Sequence, residues 1–567
     1  SALDSQFDPI DPRGSARRVK SRLRRLLRTA RHCKAHVHID MESYKTKDLT
    51  LTIFQEVLLE DEFRDLEDVG IVIQAYLRDA GRDLVQLRDW ARNRGRPVWV
   101  RLVKGAYWDY ETVFAHSTGW PVPVFEQKWQ SDAEFERLAR FLARNHEYLR
   151  PAFGSHNVRS LAYALAAART AGVPPSAVEV QMLYGMGDAE KQAFVDLGYR
   201  VRIYMPFGEL IPGMAYLVRR LLENTSNDSF LRASFSEHVP VEQLLMNPLQ
   251  HATLGGSAGN PAPSTVTPHP AAATSLSAGG RFATTFRNEP PLDFAREANR
   301  QALQQALATT RSQFGRLDPL VINGSSIDTA LRQPSMNPSH AHLVVGTTAV
   351  ANAEWVEQAV AAARQAWPAW QALGAEGRAG FLRSVAEALR KRRCELAAWE
   401  VHECGKGWRE ADADVCEAID FCEYYAAGAI ALQTPQGADI AGEENRFEYL
   451  PRGVTAVIAP WNFPLAILTG MTVAALATGN TVVMKPAEQA SVVGARLMEL
   501  FAAAELPPGV VNFLPGPGDV VGAALVEHRD VAVIAFTGSR AVGLAINARA
   551  AEVSAASNSG IKRVIAE

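Results

Sequence analysis

Towards the C-terminal end, three short stretches place hydrogen-bonding groups directly after apolar runs. Asn462 lies in a Trp–Asn–Phe–Pro turn after Val454–Ala459, Lys485 and Glu488 in Lys–Pro–Ala–Glu, and Phe536, Thr537, Gly538 and Ser539 form a Phe–Thr–Gly–Ser run. A strand-end amide beside apolar bulk can aim its NH₂ at a developing oxyanion, a contribution of about 3 kcal/mol. Lys485 and Glu488, with Pro486 fixing the backbone between them, suit the ribose hydroxyls of a dinucleotide. Gly538 permits close approach, and N–H groups at a helix start after Ser539 suit a pyrophosphate. None of this is the GxGxxG fingerprint. Taken singly, Lys–Pro–Ala–Glu is in most proteins simply a strand-exit loop, and Phe–Thr–Gly–Ser a common helix cap. In order, on successive strands, they point to nicotinamide-dependent aldehyde oxidation. That chemistry also needs a thiolate and a base to activate water, and the last cysteine, Cys422, precedes all three stretches.

A second constellation lies far upstream. Arg101–Asp109 (RLVKGAYWD) ends an apolar run with two cations, Arg101 and Lys104, followed by Tyr107 and Trp108. Cations at one mouth would stabilise a reduced, anionic flavin, and the aromatics could flank its rings. A strand-exit salt-bridge cluster is the plainer alternative. In Ala215–Glu223 (AYLVRRLLE) the helical period separates an apolar wedge from Arg219, Arg220 and Glu223. Adjacent arginines could clamp a substrate carboxylate, and Glu223, four and three residues on, can orient either guanidinium. A solvated helix face explains the same spacing.

The elements that would position these groups fall into two α/β patterns. In the first 235 residues, His36–Asp40, Gly70–Gln74, Val98–Lys104, Ala152–His156, Val178–Leu183 and Val201–Met205 read as strands alternating with helices such as Asp132–Asn145 and Val158–Ala171. Their exits are polar: Asp40, Gln74, Lys104, His156, Tyr184 and Tyr204. In a β/α barrel such ends converge on one mouth, although six units are fewer than the standard eight. Gln243–Gly280 contains no Asp, Glu, Lys or Arg and holds five Gly and five Pro, the composition of a linker. Helices are expected at Phe294–Leu307, Glu354–Trp370 and Arg378–Glu403. A doubly wound pattern of strands and helices follows Glu448.

With 59 basic against 62 acidic residues, charge gives no reason to expect nucleic acid. The basic run Arg17–Arg28 reads as a solvated helix face. Five cysteines without CxxC spacing read as reduced thiols of a cytoplasmic enzyme, and the apolar tract 454–484, broken by Pro460, Asn462, Pro464 and Gly479, is not a membrane span.

Glu448–Glu567 resembles the nicotinamide-binding half of the aldehyde dehydrogenases, most closely the pyrroline-5-carboxylate (glutamate semialdehyde) dehydrogenases. By that resemblance Asn462 holds the oxyanion, Lys485 and Glu488 bind the adenosine ribose, Phe536–Ser539 line the cofactor path, and Glu567 falls on a family glutamate. HIDMES, VIQAY, RLVKGAYWD, SHN, QMLYGMG, RIYMPFG and YLVRRLLEN resemble the later six units of a proline dehydrogenase barrel, the FAD domain of bifunctional proline utilisation proteins. This implies that Gln74, Arg101 and Lys104 contact flavin, with Tyr107, Trp108 and His156 lining its site. Asp40 would stand beside the substrate, Tyr204 would pack over it, and Arg219 and Arg220 would bind the proline carboxylate with Glu223 in support. Tyr184 stands where a histidine is expected, and Met205 where a small residue is.

The expected fold is therefore a partial (β/α)₈-type barrel over 1–235, a linker over 236–290, and over 291–567 the N-terminal and Rossmann-like NAD-binding part of an aldehyde dehydrogenase. The implied cofactors are FAD and NAD, and the substrates proline and glutamate semialdehyde. Transient contact with a membrane quinone is expected, and a homo-oligomer is compatible with the sequence. The chain reads as an interior segment of such an enzyme, without the family's upstream lysine and downstream cysteine, expected to retain FAD weakly or not at all and to accumulate no NADH. The rival readings are a stand-alone aldehyde dehydrogenase with an unrelated N-terminal domain and a non-catalytic fragment.

Overall fold

The first helix explains where the basic run goes. In the computed structural model it spans Pro12–Cys33, opened by the Asp11 side chain accepting from Gly14 N and closed by Lys34 in the left-handed conformation. Val19, Leu23, Leu27 and Ala30 are buried, whereas Leu26 points outward. Arg24, Arg28 and Arg31, at helical spacing on one face, pair with Glu60, Glu62 and Asp65 at 2.6–2.8 Å. The run is a solvated, ion-paired face.

The structure describes residues 2–209, 211, 214, 218, 240–250, 286–433, 437, 440–556 and 560–567. Two compact units divide at Ala273/Thr274. In the first, strands β1 (Val37–Ile39), β2 (Val69–Gln74), β3 (Val98–Val103), β4 (Leu149–Gly154), β5 (Glu179–Leu183) and β6 (Arg200–Tyr204) form one sheet in chain order. All five neighbour pairs are parallel. Helices cross between successive strands, as the βα pattern requires, and the result is the curled sheet of a partial (β/α)₈ barrel. The pleat separates two faces. Val37, Ile71, Val100, Leu102, Phe153, Val180 and Met182 face the helices and build the core. Through the register Val72↔Arg101↔Ala152↔Glu179 and Gly154↔Gln181↔Arg202, the other face carries Arg101, Glu179, Gln181 and Arg202.

The second unit contains β7 (Leu317–Asp318), β8 (Leu320–Ile322), β9 (Ser325–Ile327), β10 (Arg332–Met336), β11 (Val344–Ala349), β12 (Val454–Ile458), β13 (Thr481–Lys485), β14 (Val511–Phe513), β15 (Val531–Phe536) and β16 (Arg563–Ala566). A seven-stranded sheet runs β16-β15-β12-β13-β14-β8-β9. Its first five strands are parallel, and β8 and β9 are antiparallel additions. Because β13 and β14 lie on one side of β12 and β15 and β16 on the other, the strand order reverses between β12 and β15. Ligands of open α/β sheets bind in the crevice at such a point. The helix expected over Arg378–Glu403 is two, Gly374–Lys391 and Arg393–Cys404, interrupted at Arg392. Among the described residues no helix is long and apolar enough to cross a membrane, and all five cysteines are free.

Candidate functional sites

The polar face of the first sheet carries a continuous chain of charge-assisted contacts. Arg101 donates through Nη1 to Asp40 Oδ1 and through Nε to Gln181 Oε1. The Gln181 amide donates to Glu179 Oε1 at 2.5 Å, and Arg202 closes the chain with a two-pronged pair to Glu179 at 2.6 and 2.8 Å. Burial works against ionisation of Glu179, but Arg202 and Gln181 hold its carboxyl below the usual range. The relay also fixes an orientation: with its NH₂ committed to Glu179, Gln181 must present oxygen to Arg101. Glu179 and Gln181 were absent from the sequence-derived site, and they set where the guanidinium of Arg101 points.

Beneath this chain lie two histidines. His38 Nε2 can only donate to the Ile71 carbonyl (3.3 Å), so His38 Nδ1 accepts from His36 Nε2–H (2.9 Å). Burial, then Arg101, push His38 far below its usual value, and burial and Arg202 lower His36. Both rings are neutral at neutral pH.

The other expected residues cluster at the same strand exits. Gln74 is buried, its NH₂ near the Met41 carbonyl at 3.4 Å, and its Oε1 has no hydrogen-bond partner. Lys104 pairs with Asp132, while burial depresses its ammonium pKa. Gly105 has φ +128°, and a Cβ there would come within 2.4 Å of the Tyr76 ring. Only glycine lets the chain turn there towards Tyr107 and Trp108. Tyr107 is the N-cap of helix Trp108–Thr118, and Trp108 Nε1 donates to the Phe125 carbonyl at 2.7 Å. His156 Nε2 accepts from Leu183 N at 3.2 Å, which leaves the proton on Nδ1. Tyr204, Tyr184 and Met205 are exposed at the exits of β5 and β6. Arg219, Arg220 and Glu223 lie outside the described residues. An orphaned buried acceptor, Gln74 Oε1, at the end of β2 and two cations, Arg101 and Lys104, on and just after the neighbouring β3 are groups that fit a flavin.

In the second unit the register puts the expected residues on one edge. Ala566, Phe536, Ile458 and Lys485 are level across β16, β15, β12 and β13. Glu567, Thr537, the Asn462 turn and Glu488 therefore leave the sheet from one row. Asn462 is exposed, and its carboxamide has no hydrogen bond among the described residues. Glu567 N donates to the Phe536 carbonyl, and Gly538 N to the Glu567 carbonyl, both at 3.1 Å. A Cβ on Gly538 would meet the Phe536 ring at 2.6 Å. Ser539 Oγ accepts from Val542 N at 3.3 Å at the start of helix Arg540–Ala556. Lys485 is buried, donates to the Pro486 carbonyl at 3.0 Å, and is lowered by burial against the pull of Glu488. A buried ammonium beside a carboxylate, with Gly538 leaving room for close approach, fits the ribose and phosphates of a dinucleotide.

Two buried carboxylate systems behind this edge were not read from the sequence. Asp414 accepts from Lys406 and, at 2.6 Å, from Ala466 N, which starts the helix after the Asn462 turn. Glu400 lies 3.1 Å from Lys406, whose ammonium sits 4.7 Å above the Phe463 ring. Glu403 accepts from Val492 N and Val493 N at 2.9 and 2.7 Å, so it caps the helix that follows Glu488.

Burial pushes Glu403 from 4.5 to about 7. The folded unit then keeps its proton while the unfolded chain loses it. The contribution of Glu403 to stability is full below pH 4.5 and is lost, to the extent of ~3 kcal/mol, as pH rises through about 7. Glu400, raised by burial and Asp414, adds to the slope with the same sign. Urea unfolding at several pH values is expected to show this loss, and Glu403→Gln should reduce it.

Residues 3–233 match the proline dehydrogenase family and residues 327–567 the aldehyde dehydrogenase family. The bifunctional protein PutA of Salmonella typhimurium is 34% identical over 534 residues, 92% of this chain and 38% of that protein. The 1-pyrroline-5-carboxylate dehydrogenase 1 of Halalkalibacterium halodurans is 45% identical over 285 residues, 50% of this chain and 55% of that protein. The crystal structure of proline utilization A from Bdellovibrio bacteriovorus, inactivated by N-propargylglycine, aligns with TM-score 0.91 and 45% identity, covering 100% of this chain and 57% of that one. The chain thus spans about half, or less, of the length of its relatives. It corresponds to a proline dehydrogenase region followed by an aldehyde dehydrogenase region, homologous to those of the bifunctional proteins. The match over residues 3–233 removes the reading in which the N-terminal domain is unrelated.

Proposed function

We propose that the chain carries the flavin-and-proline half and the nicotinamide half of an enzyme that oxidises proline to glutamate in two steps. The observation that carries the reading is the presence, on one chain, of two strand-exit constellations whose donors suit a flavin and a dinucleotide. When bound, FAD would accept the hydride of proline and NAD that of glutamate semialdehyde.

In the first unit, Arg101 and Lys104 place positive charge at the flavin, and Gln74 Oε1 offers an acceptor to a flavin N–H. Tyr107, Trp108 and His156 line the same mouth. Arg219 and Arg220, steadied by Glu223, take the proline carboxylate, with Asp40 and Tyr204 beside the ring. In the second unit, Lys485 and Glu488 hold ribose hydroxyls, and Phe536–Ser539 border the pyrophosphate. Asn462 donates to the oxyanion, and Glu567 supplies the carboxylate beside it. A quinone met through transient membrane contact is the proposed acceptor for the flavin's electrons.

Thiol chemistry is the limiting element. Burial raises Cys394 and pushes Cys416 up to about 12, and Cys404 and Cys422 are raised further. None is poised as a thiolate nucleophile. The 567-residue polypeptide is therefore expected to bind NAD without forming NADH from glutamate semialdehyde. Sustained growth of NADH absorbance would contradict this. With FAD added in excess, L-proline should bleach the flavin, and Arg219→Met/Arg220→Met should abolish the bleaching. Equal bleaching by the double variant would remove the carboxylate clamp from the account.

A further inference from the structure

The groups expected to hold ribose, Lys485 and Glu488, both touch one further segment of the second unit. Glu488, in the short turn Glu488–Ala490, accepts through Oε1 from the backbone N–H of Gly518 at 2.8 Å. Its Oε2 has no hydrogen bond among the described residues. Gly518 opens the five-residue π-helical turn Gly518–Gly522. Single π-turns are uncommon and concentrate at functional sites. The far end of the turn reaches the lysine: a Cβ built on Gly522 would lie 3.9 Å from Lys485 Cδ. Within the turn, Val520 N and Val521 N are used by the Pro517 carbonyl at 3.2 and 2.8 Å, so the Gly518 N–H serves Glu488.

We infer that the Gly518 N–H is a positioning group for cofactor choice: by pinning one carboxylate oxygen of Glu488, it holds the other towards a ribose bearing free hydroxyls. This rests on the NAD reading given above. A half-buried glutamate has three rotatable bonds, and left alone it would spread its charge over many positions. Held at one oxygen by a fixed N–H, the carboxylate keeps an acceptor where a 2′-hydroxyl can donate to it. The same fixed charge opposes a 2′-phosphate, which carries close to two negative charges at neutral pH. Freed from Gly518, the side chain can swing to solvent, weakening the attraction to the hydroxyl and relieving the repulsion of the phosphate. Discrimination between the two dinucleotides should therefore narrow when this one N–H is removed.

The local backbone allows that removal. Pro517 has φ −59° and ψ 140°, an extended conformation that accepts a following proline. Gly518 is the first residue of its turn, the position where a missing N–H is best tolerated. Gly518→Pro thus deletes the donor, whereas Gly518→Ala keeps it and brings its Cβ only to 3.8 Å from Glu488 Oε1.

Dissociation constants of NAD and NADP would be measured on the full chain by calorimetric titration. The natural chain should prefer NAD. Gly518→Pro should weaken NAD about tenfold, as expected for one charge-assisted hydrogen bond, and tighten NADP, whose 2′-phosphate is then less repelled. Gly518→Ala should keep the natural ratio. In a Glu488→Ala background, Gly518→Pro should have no further effect, which a merely structural role for the turn would not produce. An unchanged ratio in Gly518→Pro beside a selective natural chain would overturn the inference and leave the NAD reading standing. Equal weakening of both nucleotides by Gly518→Pro would also overturn it. A natural chain that binds neither nucleotide would overturn the NAD reading and the inference together.

Discussion

Arg101→Met is expected to lower FAD affinity on the order of 100-fold while leaving the first unit folded. The guanidinium is committed on two sides, to Asp40 and to Gln181, and its side chain is only 15% exposed. Hydrogen bonds to a charged group are worth about 1.5–3 kcal/mol, and each 1.4 kcal/mol is roughly tenfold in affinity. Folding should survive because Glu179 keeps its two-pronged pair with Arg202, so no buried charge is stranded. Arg101→Lys restores the charge without the planar fork, and its affinity should fall between the two. Quenching of flavin fluorescence gives the affinities, and thermal unfolding of the same samples checks the fold. Equal FAD affinity in all three proteins would detach Arg101 from the flavin.

Lys406→Met should have the largest effect on stability, with a cost of ~3–5 kcal/mol to the second unit. The substitution leaves Glu400 and Asp414 facing each other without their cation, and neither carboxyl is exposed. Asp414 also holds Ala466 N, and Lys406 lies against Phe463, so the damage should spread to the turn containing Asn462. Exposed Trp461 makes the spread visible as altered fluorescence before global unfolding. Adding Glu400→Gln replaces one of the two facing carboxyls with an amide that can donate to Asp414, and should recover part of the loss. A double-mutant cycle of urea unfolding measures the recovery; strict additivity would show that the three groups do not act together.

How much of this was legible in the sequence depended on whether the signal was local. The six strands of the first unit were readable because short apolar runs end at polar exits and alternate with amphipathic helices. Glu179 and Gln181 were not, since in VEVQML they look like ordinary strand positions; only pairing with β4 and β6 puts them beside Arg101 and Arg202. Lys406 and Asp414 belong to no local motif, and burial against a turn some fifty residues later is what gives them meaning. The break at Arg392 carries no glycine or proline, so helical periodicity ran through it. β8 and β9 are three residues each, too short for a period, and join the sheet by antiparallel pairing. Asn462, Lys485, Glu488 and the Phe536–Ser539 run could be singled out as candidates because strand-exit motifs are contiguous. Their common row emerged only from the register of four strands.

The central claim is that one chain holds two separate nucleotide sites, a flavin site in the first unit and a nicotinamide site in the second. Equilibrium dialysis of the purified chain against FAD and NAD together tests it most directly. The account predicts one of each bound per chain at saturation, with Arg101→Met depleting FAD and leaving NAD unchanged. Competition of the two nucleotides for a single site, or binding of neither, would contradict it.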